Sequence, residues 1–385
     1  MKFETATLGQ LSVDGKGSYG VAAAAVPYSD KLYTYLRITD IFDDGTLNKS
    51  GLMSVDAEGA EKYLLEVNDI VFARTGNSTG RNYFYDGSDG KFVYAGFLIK
   101  FSIDPQKVNP KFIKYYCQSN EYWGWVRSFN TGSTRGNINA KVFANMEISI
   151  PPRKQQDFLV GVLSSLDSKI KLNQKINENL ERQAQAIFES WFTGEREING
   201  CLADICQYSK EKVAIFSLNL ESYYSTENML PGKAGATQAA SLPTTTQTTK
   251  CNVGDVLVSN IRPYFKKIVY CHADCGCSTD VLCFAPKKQG LSAYLFFLLY
   301  ADSFFDFMVA GSKGTKMPRG DKQQIMMYPV YVPSDEELMA FNRVAQPVMK
   351  QVQFNREENK RLIALRDTLL PKLMTGEIDI KDVNL

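Results

Sequence analysis

The sequence predicts an α+β protein with two pseudo-symmetric globular domains separated by two long helices that pair as an antiparallel coiled coil. Three observations support this fold class: an internal repeat, strand-like and loop-rich stretches at the start of each repeat, and a coiled-coil spacing of apolar residues at its end. The length of 385 residues also exceeds the usual size of one domain, so more than one core is expected.

Alignment of the sequence with itself reveals the internal repeat. A single register aligns the segment 112–195 with the segment 294–377 without a gap, and both segments end in the tripeptide Thr-Gly-Glu. Farther upstream, Val-Asn-Asp-Ile at 67–70 resembles Val-Gly-Asp-Val at 253–256 in a slightly different register, as expected for a difference in loop length. A constant register over such a long segment is poorly explained by chance. We therefore interpret the chain as two copies of one module.

The repeat divides the chain into four segments. Residues 1–152 form the first globular domain, 153–196 a central helix, 197–334 the second globular domain and 335–385 a C-terminal helix. Each globular domain begins with alternating apolar and polar residues typical of strands. A helical segment, a loop rich in Gly, Ser, Thr and basic residues, and a short strand that runs into proline follow in each copy. These elements are expected near Pro110 and Ser292, at 131–139 and 311–319, and at 147–150 and 328–332, respectively.

The helix in each copy has residues that recur by alternating steps of four and three, the spacing of a coiled-coil seam. The predicted seam residues are Val162, Leu166, Asn173, Ile176 and Leu180 in the first helix and Val344, Val348, Asn355, Leu362, Leu365 and Leu369 in the second. Pairing of the helices within the chain would remove both stripes from water. Asparagines at a seam lower stability but specify register.

Composition excludes several classes of protein. The proportions of hydrophobic and charged residues, 44% and 22%, are those of a folded protein and not of a disordered one. The longest apolar stretch is far shorter than a membrane span, and no apolar run follows Lys2 as it would in a secretory signal. Eight unevenly spaced cysteines fit reduced thiols. We therefore expect a cytoplasmic protein with no membrane partner.

Basic residues are concentrated locally although the net charge is only +2. Residues 124–141 and 256–270 each contain three basic side chains and no acid, and residues 311–323 contain four basic side chains and one acid. Lysine and arginine among small polar and aromatic residues suit contact with nucleic-acid phosphates. The candidate DNA-binding residues in these stretches are Ser133, Thr134, Arg135 and Asn137 in the first domain and Asn260, Arg262, Tyr264, Lys266, Lys267, Lys313, Thr315, Lys316 and Arg319 in the second. Outside these stretches, Arg74, Asn77, Ser78 and Arg81 are further candidates in the first domain.

The chain resembles the specificity subunit of type I DNA restriction-modification systems over essentially its whole length. The resemblance is carried by Asn-Asp-Ile-Val-Phe-Ala-Arg-Thr-Gly at 68–76 followed by Ser-Thr-Gly-Arg at 78–81, by Gly-Ser-Thr-Arg-Gly-Asn-Ile at 132–138, and by the two helices that end in Thr-Gly-Glu. The second copy resembles these motifs less closely, with Gly-Asp-Val-Leu-Val-Ser-Asn-Ile-Arg-Pro at 254–263.

The resemblance implies a division of labour. Each globule would be a target recognition domain that reads one half of a split double-stranded DNA sequence, and the helices would dock methyltransferase subunits, two per chain. A translocating restriction subunit is a further candidate partner. The family also implies that S-adenosylmethionine binds the methyltransferase partner and that this chain holds no cofactor. Two readers on one face of B-DNA would meet grooves about one helical turn apart, leaving an unread spacer of about six base pairs.

Two alternative functions compete with this interpretation: a stand-alone DNA-modifying enzyme and a coiled-coil adaptor. Gly-Lys-Gly-Ser-Tyr-Gly at 15–20 matches a dinucleotide-binding pattern, but only a short apolar run precedes it and Pro27 interrupts the segment that follows. Asn-Pro-Lys-Phe at 109–112 resembles an amino-methyltransferase motif in which Lys111 replaces a proline. Cofactor binding would identify the enzyme, whereas salt-sensitive duplex binding would exclude the adaptor.

A metal site and a hydrolytic site are also weakly supported. Cys271, Cys275 and Cys277 are separated by three residues and then by one, which is not the paired Cys-x2-Cys spacing of structural zinc. His272 is the sole histidine, and no nucleophile motif accompanies it. We therefore expect neither a metal nor catalytic residues in this chain.

Overall fold

The computed structural model describes residues 3–129, 136–194, 196–314 and 316–378. It contains two compact units. The first unit comprises Met1–Ile170 with Lys360–Leu385, and the second comprises Lys171–Asn359. Ser133, Thr134, Arg135 and Thr315 from the sequence analysis lie outside the described residues.

The first unit is a mixed globule of short strands and helices. Its strands are β1 Glu4–Thr7, β2 Ser18–Tyr19, β3 Ala25–Val26, β4 Tyr33–Leu36, β5 Met53–Val55, β6 Asp69–Ala73, β7 Asn82–Phe84, β8 Phe92–Tyr94, β9 Leu98–Ser102 and β10 Glu147–Ile150. Its short helices are α1 Pro110–Tyr116, α2 Asn120–Arg127 and α3 Ala140–Ala144, and the long helix α4 Arg153–Phe192 begins in this unit. The strands form sheets in the orders β2-β9-β6-β7 and β3-β5-β4-β8, together with the antiparallel pair β1-β10.

Local sequence explains these elements. All five residues of β6 are buried, because the strand lies inside its sheet between β9 and β7. Asn109, Ser119 and Asn139 each accept a backbone N–H at the start of α1, α2 and α3, which satisfies a donor that has no partner within the helix. The apolar faces of α1 and α2 pack in the core together with Phe72 of β6.

The second unit repeats this plan. Its strands are β11 Gly200–Cys201, β12 Cys206–Tyr208, β13 Lys212–Ala214, β14 Tyr223–Tyr224, β15 Gln247–Cys251, β16 Val256–Ser259, β17 Ile268–Tyr270, β18 Cys275–Cys277, β19 Val281–Pro286 and β20 Pro329–Val330. Its helices are α5 Leu202–Ile205, α6 Leu291–Tyr300, α7 Asp302–Ala310, α8 Lys322–Met326 and most of the long helix α9 Asp335–Met374. The sheet orders are β12-β19-β16-β17, β13-β15-β18-β14 and β11-β20.

The predicted fold class, a duplicated α+β module with two long helices, is confirmed. The register that aligns 112–195 with 294–377 carries α3 onto α8 and α4 onto α9 residue for residue, and each long helix contains 40 residues. The compact units nevertheless divide both long helices, whereas the sequence analysis treated each helix as a segment of its own. The division has a simple cause, since the two ends of each helix contribute side chains to different cores.

In the second unit, α4 and α9 are antiparallel and joined by buried asparagines. The amide of Asn355 donates to Oδ1 of Asn177 at 2.7 Å, and the amide of Asn173 donates to Oδ1 of Asn359 at 2.8 Å. The register of the repeat aligns Asn173 with Asn355 and Asn177 with Asn359, so the two hydrogen bonds are equivalent to each other. Buried amides that satisfy one another tolerate few alternative registers, because any slip would leave them unpaired.

The buried stripe of each helix is offset from the predicted seam. Asn173 and Asn355 are buried, and most other predicted positions are only partly buried. For Ile176 and Leu365, which are 37% and 47% exposed, the prediction of a buried seam position is wrong. The same spacing of four and three residues fits two stripes that begin at adjacent residues. A shift by one residue turns the stripe by about 100° around the helix axis. The buried apolar residues on α4 and α9 include Leu159, Leu163, Ile170, Ala184, Phe188, Leu338, Phe341, Ala345, Met349, Val352, Leu370 and Leu373.

Within the first unit, a partly buried carboxylate joins α1 to both long helices. Oδ2 of Asp167 in α4 accepts from Lys114 Nζ and from the Tyr115 hydroxyl at 2.8 Å each, and Oδ1 lies 3.4 Å from Nη1 of Arg366 in α9. Burial disfavours the charged form, but the ammonium of Lys114 and its other partners outweigh burial and hold the pKa of Asp167 below its usual value.

We expect Asp167→Asn to lower stability at pH 7 and to lose that effect in acid. A carboxyl whose folded-state pKa is depressed contributes stability above its unfolded pKa of about 3.9, and the contribution disappears as the pH falls through the lower folded-state value. Thermal unfolding of wild type and variant between pH 7 and pH 3 measures the difference. Asp157→Asn, at an exposed ion pair with Arg153, is the control with a smaller expected effect. A wild-type advantage that is the same at pH 7 and pH 3 would contradict this assignment.

Candidate nucleic-acid interface

Two loops that are distant in sequence lie side by side in the first unit. Thr75, just beyond β6, forms an isolated β-bridge with Asn137. The N–H of Ile138 donates to the carbonyl of Arg74 at 2.9 Å, and the Thr79 hydroxyl donates to the carbonyl of Gly136 at 2.9 Å. The structure therefore brings together the loop after β6 and the loop before α3, both of which the sequence analysis selected.

A glycine is required within the first of these loops. Gly80 has a φ of +89°, and a Cβ there would lie 2.5 Å from a methyl carbon of Val126 in α2. Only glycine adopts this backbone without strain and without a clash. The loop 74–81 therefore follows the helical layer closely before the chain enters β7.

The candidate side chains of the first unit have different environments. Asn77 is exposed, whereas Ser78 is buried. Arg81 donates to Oδ1 of Asp43 at 2.7 Å and to a backbone carbonyl, so it anchors the loop to a neighbouring segment. Arg74 is half-buried and has no acidic partner among the residues that the structure describes.

Two exposed aromatic residues beside Arg74 were not predicted from the sequence. The guanidinium carbon of Arg74 lies 5.1 Å from the ring centroid of Tyr19 in β2 and 6.0 Å from that of Phe97, between β8 and β9. The rings are 42% and 56% exposed. Tyr19 lies within the Gly-Lys-Gly-Ser-Tyr-Gly stretch at 15–20, whose pattern does not indicate DNA contact, and Phe97 lies in no recognisable motif. A phenylalanine directly after a glycine at a strand turn was the available signal for Phe97.

The second unit contains the same pair of loops. Ile261 forms a β-bridge with Arg319, and the N–H of Arg262 donates to the carbonyl of Pro318 at 2.8 Å. Lys313 and Arg319 exchange two backbone hydrogen bonds of 2.9 and 3.0 Å, so this stretch folds back as a hairpin. The register that aligns residue 67 with residue 253 places Thr75 on Ile261, and the register that aligns residue 112 with residue 294 places Asn137 on Arg319. The two bridges are therefore equivalent. The repeat found in the sequence thus extends to the contacts of the candidate interface.

Several basic candidates of the second unit anchor its loops. Lys266 lies 2.8 Å from Oδ1 of Asp302, which also binds Lys233, and these two ammonium groups hold the pKa of Asp302 below its usual value. Lys267 donates to the carbonyl of Thr226, and partial burial lowers the pKa of this lysine.

Other candidates are exposed or have a polar atom without a hydrogen-bond partner among the described residues. Tyr264 and Lys316 are exposed. Arg262 has a φ of +50°, and its Nε is buried without a hydrogen-bond partner among the described residues. Asn260 is buried, and its Oδ1 likewise lacks a partner in the part of the chain that the structure describes.

The two interfaces differ in chemistry at equivalent positions. In the first unit the N–H of Arg74 donates to the carbonyl of Phe97, and in the second the N–H of Asn260 donates to the carbonyl of Asp280. Asp280 forms an ion pair with Arg319 at 3.0 Å, whereas Phe97 packs against Arg74. Lys313 is likewise paired with an acid, Asp321, at 2.8 Å. At these equivalent positions the first unit thus has an aromatic ring beside an arginine, and the second has an ion pair.

The cysteines of the 271–277 segment are buried in the second unit, and His272 beside them is partly buried. Cys271 and Cys275 have their sulfur atoms 3.6 Å apart, and both are buried. His272 packs against Tyr270, and burial lowers the pKa of His272 to about 4. Among residues 3–129, 136–194, 196–314 and 316–378, no group of three or more His, Cys, Asp and Glu side chains could hold a metal ion.

No single helix in the described part of the chain is long and apolar enough to cross a membrane. The helices α6 and α7 together reach the necessary length and composition, but they meet at a bend of 65°. Most of their apolar residues are buried in the core of the second unit.

Comparisons with known proteins find similarity to one domain family and to two specificity subunits. Residues 31–182 match the model of the type I restriction modification DNA specificity domain. The chain is 29% identical over 140 residues to the type I restriction enzyme HindI specificity subunit of Haemophilus influenzae. The aligned region covers 36% of this chain and 30% of that protein. It is 25% identical over 171 residues to the StySPI specificity subunit of Salmonella potsdam, covering 42% and 37% of the two chains. The chain thus matches about a third of the length of these relatives.

A solved structure extends the likeness in fold. The crystal structure of a type I restriction-modification system S subunit from M. genitalium superposes with a TM-score of 0.54 and 16% identity, covering 97% of this chain and 96% of that one. The matches to these relatives cover 36% and 42% of this chain, whereas the superposition covers nearly the full length of both chains. Residues 31–182 are therefore similar to the type I restriction modification DNA specificity domain, and nearly the whole chain has the fold of the M. genitalium S subunit.

Proposed function

We propose that this chain is the non-catalytic DNA-recognition subunit of a type I restriction-modification complex, in which each unit reads one half of a split duplex target. The observation that carries the proposal is the duplicated pairing of two basic loops, marked by the bridges Thr75–Asn137 and Ile261–Arg319. Two copies of one reading surface with different side chains suit two half-sites of different sequence.

The side chains in these loops suit both kinds of DNA contact. Exposed Asn77, Tyr264 and Lys316 can donate to phosphate oxygens, which position a protein on the duplex without reading sequence. Arginines such as Arg74 and Arg262 can reach base edges in the major groove, where each base pair has its own pattern of donors and acceptors. Lys266, Lys267 and Arg81, which have partners inside the chain, would hold the loops in place.

We further propose that α4 and α9 dock methyltransferase subunits, two per chain, and that the complex acts in the cytoplasm. A translocating restriction subunit is a further candidate partner. Each long helix leaves apolar side chains exposed: Leu172 and Ile176 on α4, and Ile363 and Leu365 on α9. Exposed apolar side chains in series on a helix are suited to a protein partner.

Because S-adenosylmethionine is assigned to the methyltransferase partner, we expect the purified chain neither to bind S-adenosylmethionine nor to methylate or cleave DNA. Isothermal calorimetry of the full chain, followed by the same titration of the assembled complex, tests this. Heat at one-to-one stoichiometry from the chain alone would contradict the assignment and support a stand-alone enzyme.

Duplex binding tests the proposed role directly. The full chain, coexpressed with the modification subunits of its own cell, is expected to bind one duplex from a random pool more tightly than the rest. The affinity is expected to fall steeply between 50 and 200 mM salt, because phosphate contacts release counterions. Absence of salt-sensitive duplex binding would contradict DNA recognition and favour a coiled-coil adaptor.

A further inference from the structure

Arg74 is held by its backbone at the centre of the first unit's candidate interface. Its N–H donates to the carbonyl of Phe97 at 3.1 Å, and its carbonyl accepts from Ile138 at 2.9 Å. These bonds tie the end of β6 to the turn before β9 on one side and to the loop before α3 on the other. The starting point of the side chain is therefore fixed by two separate segments.

Two aromatic rings flank the side chain of Arg74. Tyr19 and Phe97 place their ring centroids 5.1 and 6.0 Å from the guanidinium carbon. The Tyr19 hydroxyl in turn accepts the N–H of Ala140, the first residue of α3, at 3.2 Å. Guanidinium groups bind the faces of aromatic rings, and such contacts restrict the orientation of the planar group before a ligand arrives.

The guanidinium of Arg74 is not neutralised within the described part of the chain. Other arginines of this unit bind acids: Arg37 lies 2.6 Å from Asp40, and Arg81 lies 2.7 Å from Asp43. For Arg74, among the described residues, no acidic partner is present and the buried Nε has no acceptor. A half-buried donor without an acceptor lowers the stability of the free protein. A ligand that supplies the missing acceptors would offset this loss of stability.

The surroundings favour a base edge over a phosphate as that ligand. The rings of Tyr19 and Phe97 are both substantially exposed, so a phosphate bound to Arg74 would lie against them. This position is unfavourable for a phosphate, because a phosphate is strongly hydrated and the rings are apolar. Guanine presents two acceptors, O6 and N7, in the plane of the base at the spacing of two guanidinium N–H groups. A planar arginine between aromatic rings matches this acceptor pair, and the rings can contact the apolar edge of a neighbouring thymine.

We propose that Tyr19, Arg74 and Phe97 form a guanine-reading cluster, in which Arg74 donates to O6 and N7 of one guanine in the half-site read by the first unit. Tyr19 and Phe97 are positioning residues that orient the guanidinium. This inference rests on the proposed function and assigns one base of the target to one side chain.

The test uses the full chain assembled with its modification subunits and a randomised duplex library. Wild type, Arg74→Lys and Phe97→Leu are compared for the sequences that they enrich. Arg74→Lys keeps the charge but loses the planar pair of donors, so one guanine of one half-site is expected to become degenerate while every other position is retained. Phe97→Leu is expected to weaken the same guanine preference to a smaller extent.

A modified base identifies the atoms involved. On the enriched duplex, replacing that guanine with 7-deazaguanine removes the N7 acceptor but keeps O6, and is expected to weaken wild-type binding by part of the roughly 5- to 150-fold that a whole bidentate pair contributes. The same replacement is expected to have little effect on the Arg74→Lys complex, which has already lost the paired contact. Arg262→Ala serves as the control, because its effect is expected in the other half-site only.

The outcomes separate this inference from the proposed function. If the wild-type complex enriches no sequence, the proposed function itself fails. If wild type enriches a split target and Arg74→Lys enriches the identical target with affinity reduced for all sequences alike, Arg74 contacts a phosphate and the guanine assignment is overturned. Loss of preference in both half-sites would also overturn it, because the substitution would then act on assembly and not on one base.

Discussion

Replacing both Ile176 and Leu365 with aspartate is expected to abolish copurification of the modification subunits while both units of the chain remain folded. The two side chains lie on α4 and α9 and are 37% and 47% exposed, so a charge there meets water in the free chain. In a complex that covers them, each new carboxylate would be buried without a partner, at a cost of several kcal/mol. Two such costs correspond to a loss of affinity of at least about 1,000-fold.

Two further variants make this experiment specific. Val13→Asp introduces the same charge at an exposed apolar position of the first globule and is expected to leave copurification unchanged. Leu180→Asp with Leu362→Asp is expected to lose the partners as well, but these side chains are partly buried within the chain and their replacement also weakens the helices. Thermal unfolding of each free chain separates the two causes. Full recovery of the modification subunits by the Ile176 and Leu365 double variant would show that docking occurs elsewhere.

Arg262→Ala is expected to remove discrimination at one or two base pairs within the half-site that we propose the second unit to read. An arginine that binds a guanine contributes about 1 to 3 kcal/mol of discrimination. The preference for the target base over the wrong base should therefore fall by about 5- to 150-fold. Arg262 has a positive φ and lies beside the hairpin, where its N–H donates to the carbonyl of Pro318. Its buried Nε has no acceptor among the described residues. Competition between the target duplex and single-base variants measures the effect.

A matched substitution distinguishes base reading from phosphate binding. Lys316→Ala removes an exposed cation from the hairpin that pairs with Arg262 and is expected to weaken binding to all sequences alike and to reduce the salt slope by about one. Arg135→Ala, which the sequence analysis places in the first reader, is expected to alter the first half-site only. If Arg262→Ala also weakens all sequences alike, Arg262 binds a phosphate. If Arg262→Ala and Arg135→Ala affect the same half-site, the two-reader model is wrong.

The sequence was sufficient for the fold because the fold is repeated. A constant register between the two copies is visible even where few residues are identical, and it carries α4 onto α9 residue for residue. The stripe that the helices bury was harder to define. Two neighbouring stripes fit the same spacing, and the buried one contains asparagines such as Asn177, which a search for apolar residues passes over.

The candidate interface was predicted in part. The sequence located both loops of each unit, because glycines and basic residues are grouped there. It did not identify Tyr19 or Phe97, since their proximity to Arg74 depends on strand pairing between distant segments. It also did not separate ligand-facing from anchoring side chains. Lys266 and Arg81 resemble DNA-binding residues in sequence, but Asp302 and Asp43, far away in the chain, neutralise them.

The most direct test of the two-reader account is the pattern of methylation that the assembled complex leaves on a randomised-target library, determined by sequencing the modified molecules. The account predicts two short specified blocks of different sequence, separated by an unread spacer of constant length, with Arg74→Lys altering one block and Arg262→Ala the other. A single uninterrupted recognition sequence, or methylation without sequence preference, would contradict the account.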